Sequence, residues 1–134
     1  MADAGSTTPQ LGKLGIVPGA RWSVIGADPG WRFETAPDAA AEVAATAPAD
    51  VVVVFVRAAA ELEPALVDNE PRVFPAGALW IAWPRKAAGH VSDLGDAVVR
   101  EAALARRLVD VKVAALDHDW SALKLVWRRE HREG

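Results

Sequence analysis

The apolar residues of the chain fall into three kinds of run. Two runs are continuous: Asp50 to Arg57 reads DVVVVFVR, and Ala78 to Trp83 reads ALWIAW. β-Branched and aromatic residues without alternation predict strands covered on both faces, the inner strands of a sheet. Arg21 to Ile25 (RWSVI) predicts another strand, set off by Pro18-Gly19 before it and by Gly26 and Pro29-Gly30 after it. Towards the C-terminus the pattern alternates. Val109, Val111 and Val113 oppose Asp110 and Lys112, and Leu123, Leu125 and Trp127 oppose Lys124 and Arg128. The short link DHDWS joins these two runs, which predicts an antiparallel hairpin.

Helical spacing fills much of the rest. Leu94, Val98, Ala102, Ala105 and Leu108 recur at intervals of three and four, so a helix capped by Ser92 or Asp93 is expected to run to about Leu108. Arg100, Arg106 and Arg107 lie off its apolar face. A shorter helix is expected over Ala58–Val67, with Leu62, Ala65 and Leu66 on one side. Pro64 delays its regular part to near Glu61 or Glu63. A third is expected from Pro37, at a first helical position, through the alanine run to Ala47, with Pro48 ending it. Asp68–Gly77 and Arg85–Val91 read as loops, and Leu11–Val17 as a short segment against the sheet edge. Right-handed crossovers make the first three strands parallel. The expectation is one three-layer α/β domain over 11–128, with about five strands, between a disordered tail at 1–10 and a charged tail at 129–134.

Composition narrows the function more than the fold. The 134 residues suffice for one domain with a core. A net charge of −3 argues against broad nucleic-acid binding. The lack of cysteine removes disulfides, thiolate catalysis and cysteine–metal sites, and fits a cytoplasmic protein. The first ten residues have no basic region followed by an apolar run, so no signal peptide is expected. No apolar run approaches the ~20 residues that span a bilayer, so no membrane partner is expected.

The stretch PGARWSVIGADPGW, Pro18 to Trp31, resembles the first motif of class I S-adenosylmethionine-dependent methyltransferases, whose usual form is close to PGxRVLDxGxGxG. Pro18, Gly19, Arg21, Gly26 and Gly30 match in place. Val24 stands where that family has an acidic residue, and Asp28 where it has the central glycine. A side chain there obstructs the close approach of the cofactor to the backbone. A carboxylate also repels the carboxylate of the cofactor's methionine part. PAGALWIAWP resembles the family's central strand, and the hairpin is a further likeness. The resemblance therefore implies a Rossmann-like, methyltransferase-like sheet. Only 19 residues, Trp31 to Ala49, separate the first turn from the DVVVVFVR strand. The complete pattern places two strand–helix units there, and a βαβ unit takes ~30 residues. One wing is missing, with the acidic residue that would bind the ribose, and the first strand lies at or near the sheet edge. S-adenosylmethionine is disfavoured as a cofactor. The blocks ADVVVVFV, LWIAWPRK and VDVKVAALD–W–SALKLV also resemble an uncharacterised family of small, mainly actinobacterial proteins. That likeness runs from Leu14 to Arg128 and carries no assigned activity.

Ligands of open parallel sheets bind beyond the C-terminal strand ends. The loops expected to meet there present Gly26, Asp28, Gly30, Trp31, Arg57, Trp83, Arg85, Lys86, His90 and Asp93. Cations beside tryptophans suit a small, flat anionic ligand. Solvated loop charges beside tryptophans that cover the core are the simpler account. His90 is an acid–base candidate without an evident partner other than Ser92 and Asp93. Asp117, His118 and Asp119 have metal-ligand chemistry, but adjacent positions in a tight turn point apart, so a polar turn and no metal is expected. Six tryptophans stand beside three phenylalanines and no tyrosine, and Trp22, Trp80 and Trp127 are expected on the sheet. The C-terminal WRREHR reads as a solvated basic tail. The expected function is a non-catalytic module that binds a small ligand or a protein partner and works as a homodimer, with no cofactor. The alternatives are a small methyltransferase with an altered cofactor loop, resting on Gly26 and Gly30, and a nucleic-acid-binding module resting on Arg and Lys near Trp.

Overall fold

The computed structural model describes residues 9–132. Its centre is a six-stranded sheet formed by β1 (Arg21–Ile25), β2 (Ala41–Glu42), β3 (Val51–Phe55), β4 (Ala78–Pro84), β5 (Leu108–Ala115) and β6 (Trp120–Trp127). The spatial order is β2-β1-β3-β4-β6-β5. The first four strands pair in parallel. β6 is antiparallel to both its neighbours and lies between β4 and β5. This is the mostly parallel α/β sheet with a C-terminal antiparallel hairpin that the patterning predicts. Every residue of β3 is buried, as a continuous apolar run requires of an inner strand.

Two apolar clusters cover the two faces of the sheet. On one, α2 (Leu62–Asn69) and α3 (Asp96–Leu104) pack over Val52, Val54, Leu79, Ile81, Leu123 and Leu125. On the other, α1 (Gln10–Leu14) and the 27–40 segment cover Val51, Val53, Phe55, Trp80 and Trp120. Trp80 is fully buried, and its indole donates to the Leu14 carbonyl at 3.1 Å, which satisfies an N–H that would otherwise be stranded. Trp127 does the same with the Glu70 carbonyl at 2.9 Å. Among the described residues no helix is long and apolar enough to cross a membrane.

Several expectations change. No helix forms over 37–47. That segment runs along the open edge of β1, with Gly19 N–H donating to Ala39 O, Ala41 N–H to Ala20 O and Val43 N–H to Trp22 O. A helix so short is marginal without an apolar face to bury, while β1 offers unpaired backbone groups for the chain to meet. The result is β2, a sixth strand beyond the five expected. α3 is shorter than expected and buries Val99 and Ala103, leaving Val98 exposed. Ser92 and Asp93 do not cap it. Asp93 instead accepts from Ala59 N–H at 2.8 Å, and Ser92 Oγ accepts from Leu94 N–H at 3.2 Å. Leu108 begins β5. The 68–77 segment is not a simple loop: α2 runs to Asn69, a 3-10 turn follows at Pro71–Val73, and Asn69, Glu70 and Arg72 are buried. The expected N-terminal tail lies outside the described residues except for Pro9 and Gln10, and Gln10 is buried in α1. Arg129–His131 forms a 3-10 turn, and residues 133–134 of the expected C-terminal tail lie outside the described residues.

Candidate functional site

The crevice of an open parallel sheet lies where the chain connections reverse direction. Here that is between the C-terminal ends of β1 and β3. Gly26 leaves β1 at φ 78°, and a Cβ on it would lie 2.9 Å from the Phe55 carbonyl oxygen. The glycine therefore serves contact with β3. Among the described residues nothing lies within 4 Å of the corresponding position on Gly30. It belongs to a turn closed by Trp31 N–H on the Asp28 carbonyl at 2.9 Å.

The loop after β1 closes over the crevice. Asp28 Oδ1 lies 2.6 Å from Arg57 Nη2, so the carboxylate at the motif's central-glycine position meets the cation that leaves β3. The Arg57 guanidinium also lies 5.3 Å from the centre of the Trp120 ring. Arg57 N–H donates to Glu61 Oε1 at 2.9 Å, and its carbonyl accepts from Ser92 Oγ at 3.3 Å. Trp31 packs edge-on against Phe55, which packs edge-on against Trp120. The Trp31 indole donates to Asp117 Oδ2 at 2.9 Å, tying the β1 loop to the hairpin turn.

Asp117 shapes that turn. Its Oδ1 accepts from the backbone N–H groups of Asp119 and Trp120, both at 2.9 Å. Among the described residues no three His, Asp or Glu side chains converge on a metal position. Arg85 donates to the His118 carbonyl at 2.9 Å. His90 Nε2 lies 2.9 Å from Asp119 Oδ1. The hydrogen bond from His90, with His118 and Arg85 nearby, holds the Asp119 carboxyl below the usual carboxylate range.

The expected residues thus separate. Asp28, Trp31 and Arg57 come together over β1 and β3. Arg85 and His90 bind the hairpin turn. Trp83 is buried on the opposite face, with the helices. It borders a groove of about 590 Å³ that also touches Arg85, Lys86, Gly95, Asp96 and Ser121. Asp117 and Trp120 were missed as members of the Arg57 cluster. An Asp three residues before a strand residue in a tight turn is the signal that points to the first. Trp120 carries none, because only the fold brings it to Arg57.

The Asp28–Arg57 pair spans the crevice at the position of the motif's central glycine. β2 ends at Glu42, opposite Trp22 and three positions before the end of β1.

The model of a family described as a protein of unknown function, DUF3052, matches residues 37–129, more than half of the chain. The chain belongs to this family. The family match covers β2 to β6 and stops short of β1 and its glycine turn. No curated protein matches in sequence. In structure, the chain is similar to one in a crystal structure of a fibrillarin/Nop5p complex. The TM-score is 0.52 at 11% identity, over 84% of this chain and 74% of that one. It is also similar to a protein in the NADB-Rossmann superfamily from Streptococcus agalactiae, with TM-score 0.53 at 12% identity, over 90% of this chain and 68% of that one. These likenesses establish a Rossmann-like, methyltransferase-type fold and nothing finer.

Proposed function

We propose that the protein is a non-catalytic binding module on a methyltransferase-like scaffold. The observation that supports this reading most directly is the 2.6 Å Asp28–Arg57 pair across the crevice between β1 and β3. A charge-assisted contact at that length, backed by an aromatic ring, turns the seat used by cofactor-binding relatives of this fold into a closed surface. The reading has a ligand site elsewhere. In the groove beside Trp83, the Lys86 ammonium forms no ion pair among the described residues, and Arg85 is held in place by the hairpin turn. A small anionic ligand fits that lining. The module works in the cytoplasm and as a homodimer, with the exposed Val111 and Val113 of β5 as the apolar surface to be covered.

Titration calorimetry with S-adenosylmethionine and its demethylated product at millimolar concentration is expected to give no heat. Methyl transfer by the purified protein that is lost in Asp28→Ala or Arg57→Ala would sink the proposal in favour of a small methyltransferase with an altered loop. Native mass spectrometry of gently purified protein is expected to show a dimer carrying added small-molecule mass. A bare monomer removes the homodimer and leaves protein partners as the object of search.

A further inference from the structure

A second cavity, of about 410 Å³, opens on the other face of the sheet beside β1. Among the described residues no helix covers that flank of β1. Trp22 and Val24 form its floor, and the 31–37 segment curls over it. Three rings line it and brace one another: Trp22 and Phe33 are 5.2 Å apart at 88°, and Trp31 and Phe33 are 5.0 Å apart at 71°. Such a chain of edge-to-face contacts holds three apolar rings in place, with Phe33 set across the other two. The volume lies within the range of small-molecule sites. None of this belongs to the groove beside Trp83, which lies on the helix side.

The charges at its margin give the cavity its selectivity. Arg32 and Glu42 both line it, and neither forms an ion pair among the described residues. Glu42 stands opposite Trp22 in the parallel β1–β2 pairing, so its side chain emerges on the same face as the indole. Arg32 sits between the two ring-bearing residues Trp31 and Phe33. A cation and an anion are therefore both presented at an aromatic cavity without neutralising each other. An anion alone would meet repulsion from Glu42, and a cation alone from Arg32.

We infer that this cavity binds a small zwitterion with a flat apolar body, an aromatic amino acid or a dipeptide that contains one. The ring lies against Trp22, Trp31 and Phe33, the carboxylate faces Arg32, and the ammonium faces Glu42. The inference is independent of the anionic groove and shares Trp31 with the closed crevice.

Calorimetry with L-phenylalanine and with glycyl-L-phenylalanine tests it on the full chain. Saturable binding of one of them is expected, and the one that binds distinguishes amino acid from dipeptide. Arg32→Ala and Glu42→Ala should each weaken that binding roughly tenfold, the loss of one charge-assisted contact. Both residues are exposed, so the fold survives, and an unchanged thermal melt confirms it. Phenethylamine, which lacks the carboxylate, should bind the native protein more weakly than L-phenylalanine does, and Arg32→Ala, which removes a like charge, should strengthen rather than weaken its binding. Lys86→Ala, in the other groove, should leave L-phenylalanine binding intact. No saturable heat with either ligand overturns the inference. So does binding that is indifferent to Arg32 and Glu42, or that disappears in Lys86→Ala.

Discussion

Two glycines that look equivalent in the sequence motif have different physical duties. At Gly26 the backbone is left-handed, and an added methyl group would meet the Phe55 carbonyl oxygen at 2.9 Å. Gly26→Ala should destabilise by more than ~1 kcal/mol, since both strain and collision oppose it. Gly30 has open space around it, and Gly30→Ala should stay within ~0.5 kcal/mol of the native protein. Urea midpoints of the two variants check the contrast. Equal midpoints would mean that the turn after β1 does not depend on close contact with β3. Trp22 makes a related case. Among the described residues its indole N–H is buried without a hydrogen-bond partner, and such a group costs about 1–3 kcal/mol. Trp22→Phe removes that burden along with some ring contact, so its cost should fall well below the ~3–5 kcal/mol usual for losing a large buried ring.

At the level of elements, legibility followed burial. β3 and β4 were readable because a strand buried on both faces leaves an unbroken β-branched or aromatic run. The hairpin was readable from alternation, although in β5 the alternation does not mark a buried side: Val111 and Val113 are exposed, and the register shifts between Asp110 and Lys112. The alanine run at 39–45 misled, because helix propensity is a weak preference beside an open strand edge that offers backbone partners. The site was half legible. Asp28, Trp31 and Arg57 were found because motif and strand ends point to them, but their pairing with one another was not. That pairing depends on a contact between positions 29 residues apart, made by how the loops close. Glu70 was missed altogether, since a charged residue in an acidic, proline-containing segment reads as solvated. It is only 2% exposed and pairs with Arg106 at 2.5 Å, joining the end of α2 to the turn between α3 and β5. Removing the cation leaves a buried carboxylate uncompensated. Arg106→Ala should therefore cost ~3 kcal/mol, the low end for a broken buried pair because Arg106 is itself partly exposed. Chemical denaturation measures this. A cost near zero would mean that water replaces the guanidinium.

For the molecule as a whole, carboxylates that join separate parts of the fold set the response to acid. Asp50 accepts from the Arg21 side chain at 3.2 and 3.3 Å and from its backbone N–H at 2.8 Å, clasping the start of β3 to the start of β1. Those bonds hold its carboxyl below the usual range. Asp119, which joins the hairpin turn to the β4–α3 connection through His90, is shifted the same way, chiefly by that hydrogen bond. A carboxyl whose folded pKa lies below its unfolded value binds fewer protons folded than unfolded. Its contribution to stability is therefore complete above the unfolded value, near pH ~4, and declines as pH falls through the lower folded value. Both groups are well exposed, so the effect is modest and screened by salt. Stability from urea unfolding should be insensitive to these two groups near neutral pH and should fall below pH ~4. Asp50→Asn should lower stability at pH 7 and flatten the decline in acid. If Asp50→Asn and the native protein lost stability in parallel down to pH ~3, the clasp between β1 and β3 would be electrostatically idle. The parallel pairing of those two strands would then rest on their apolar faces and backbone bonds alone.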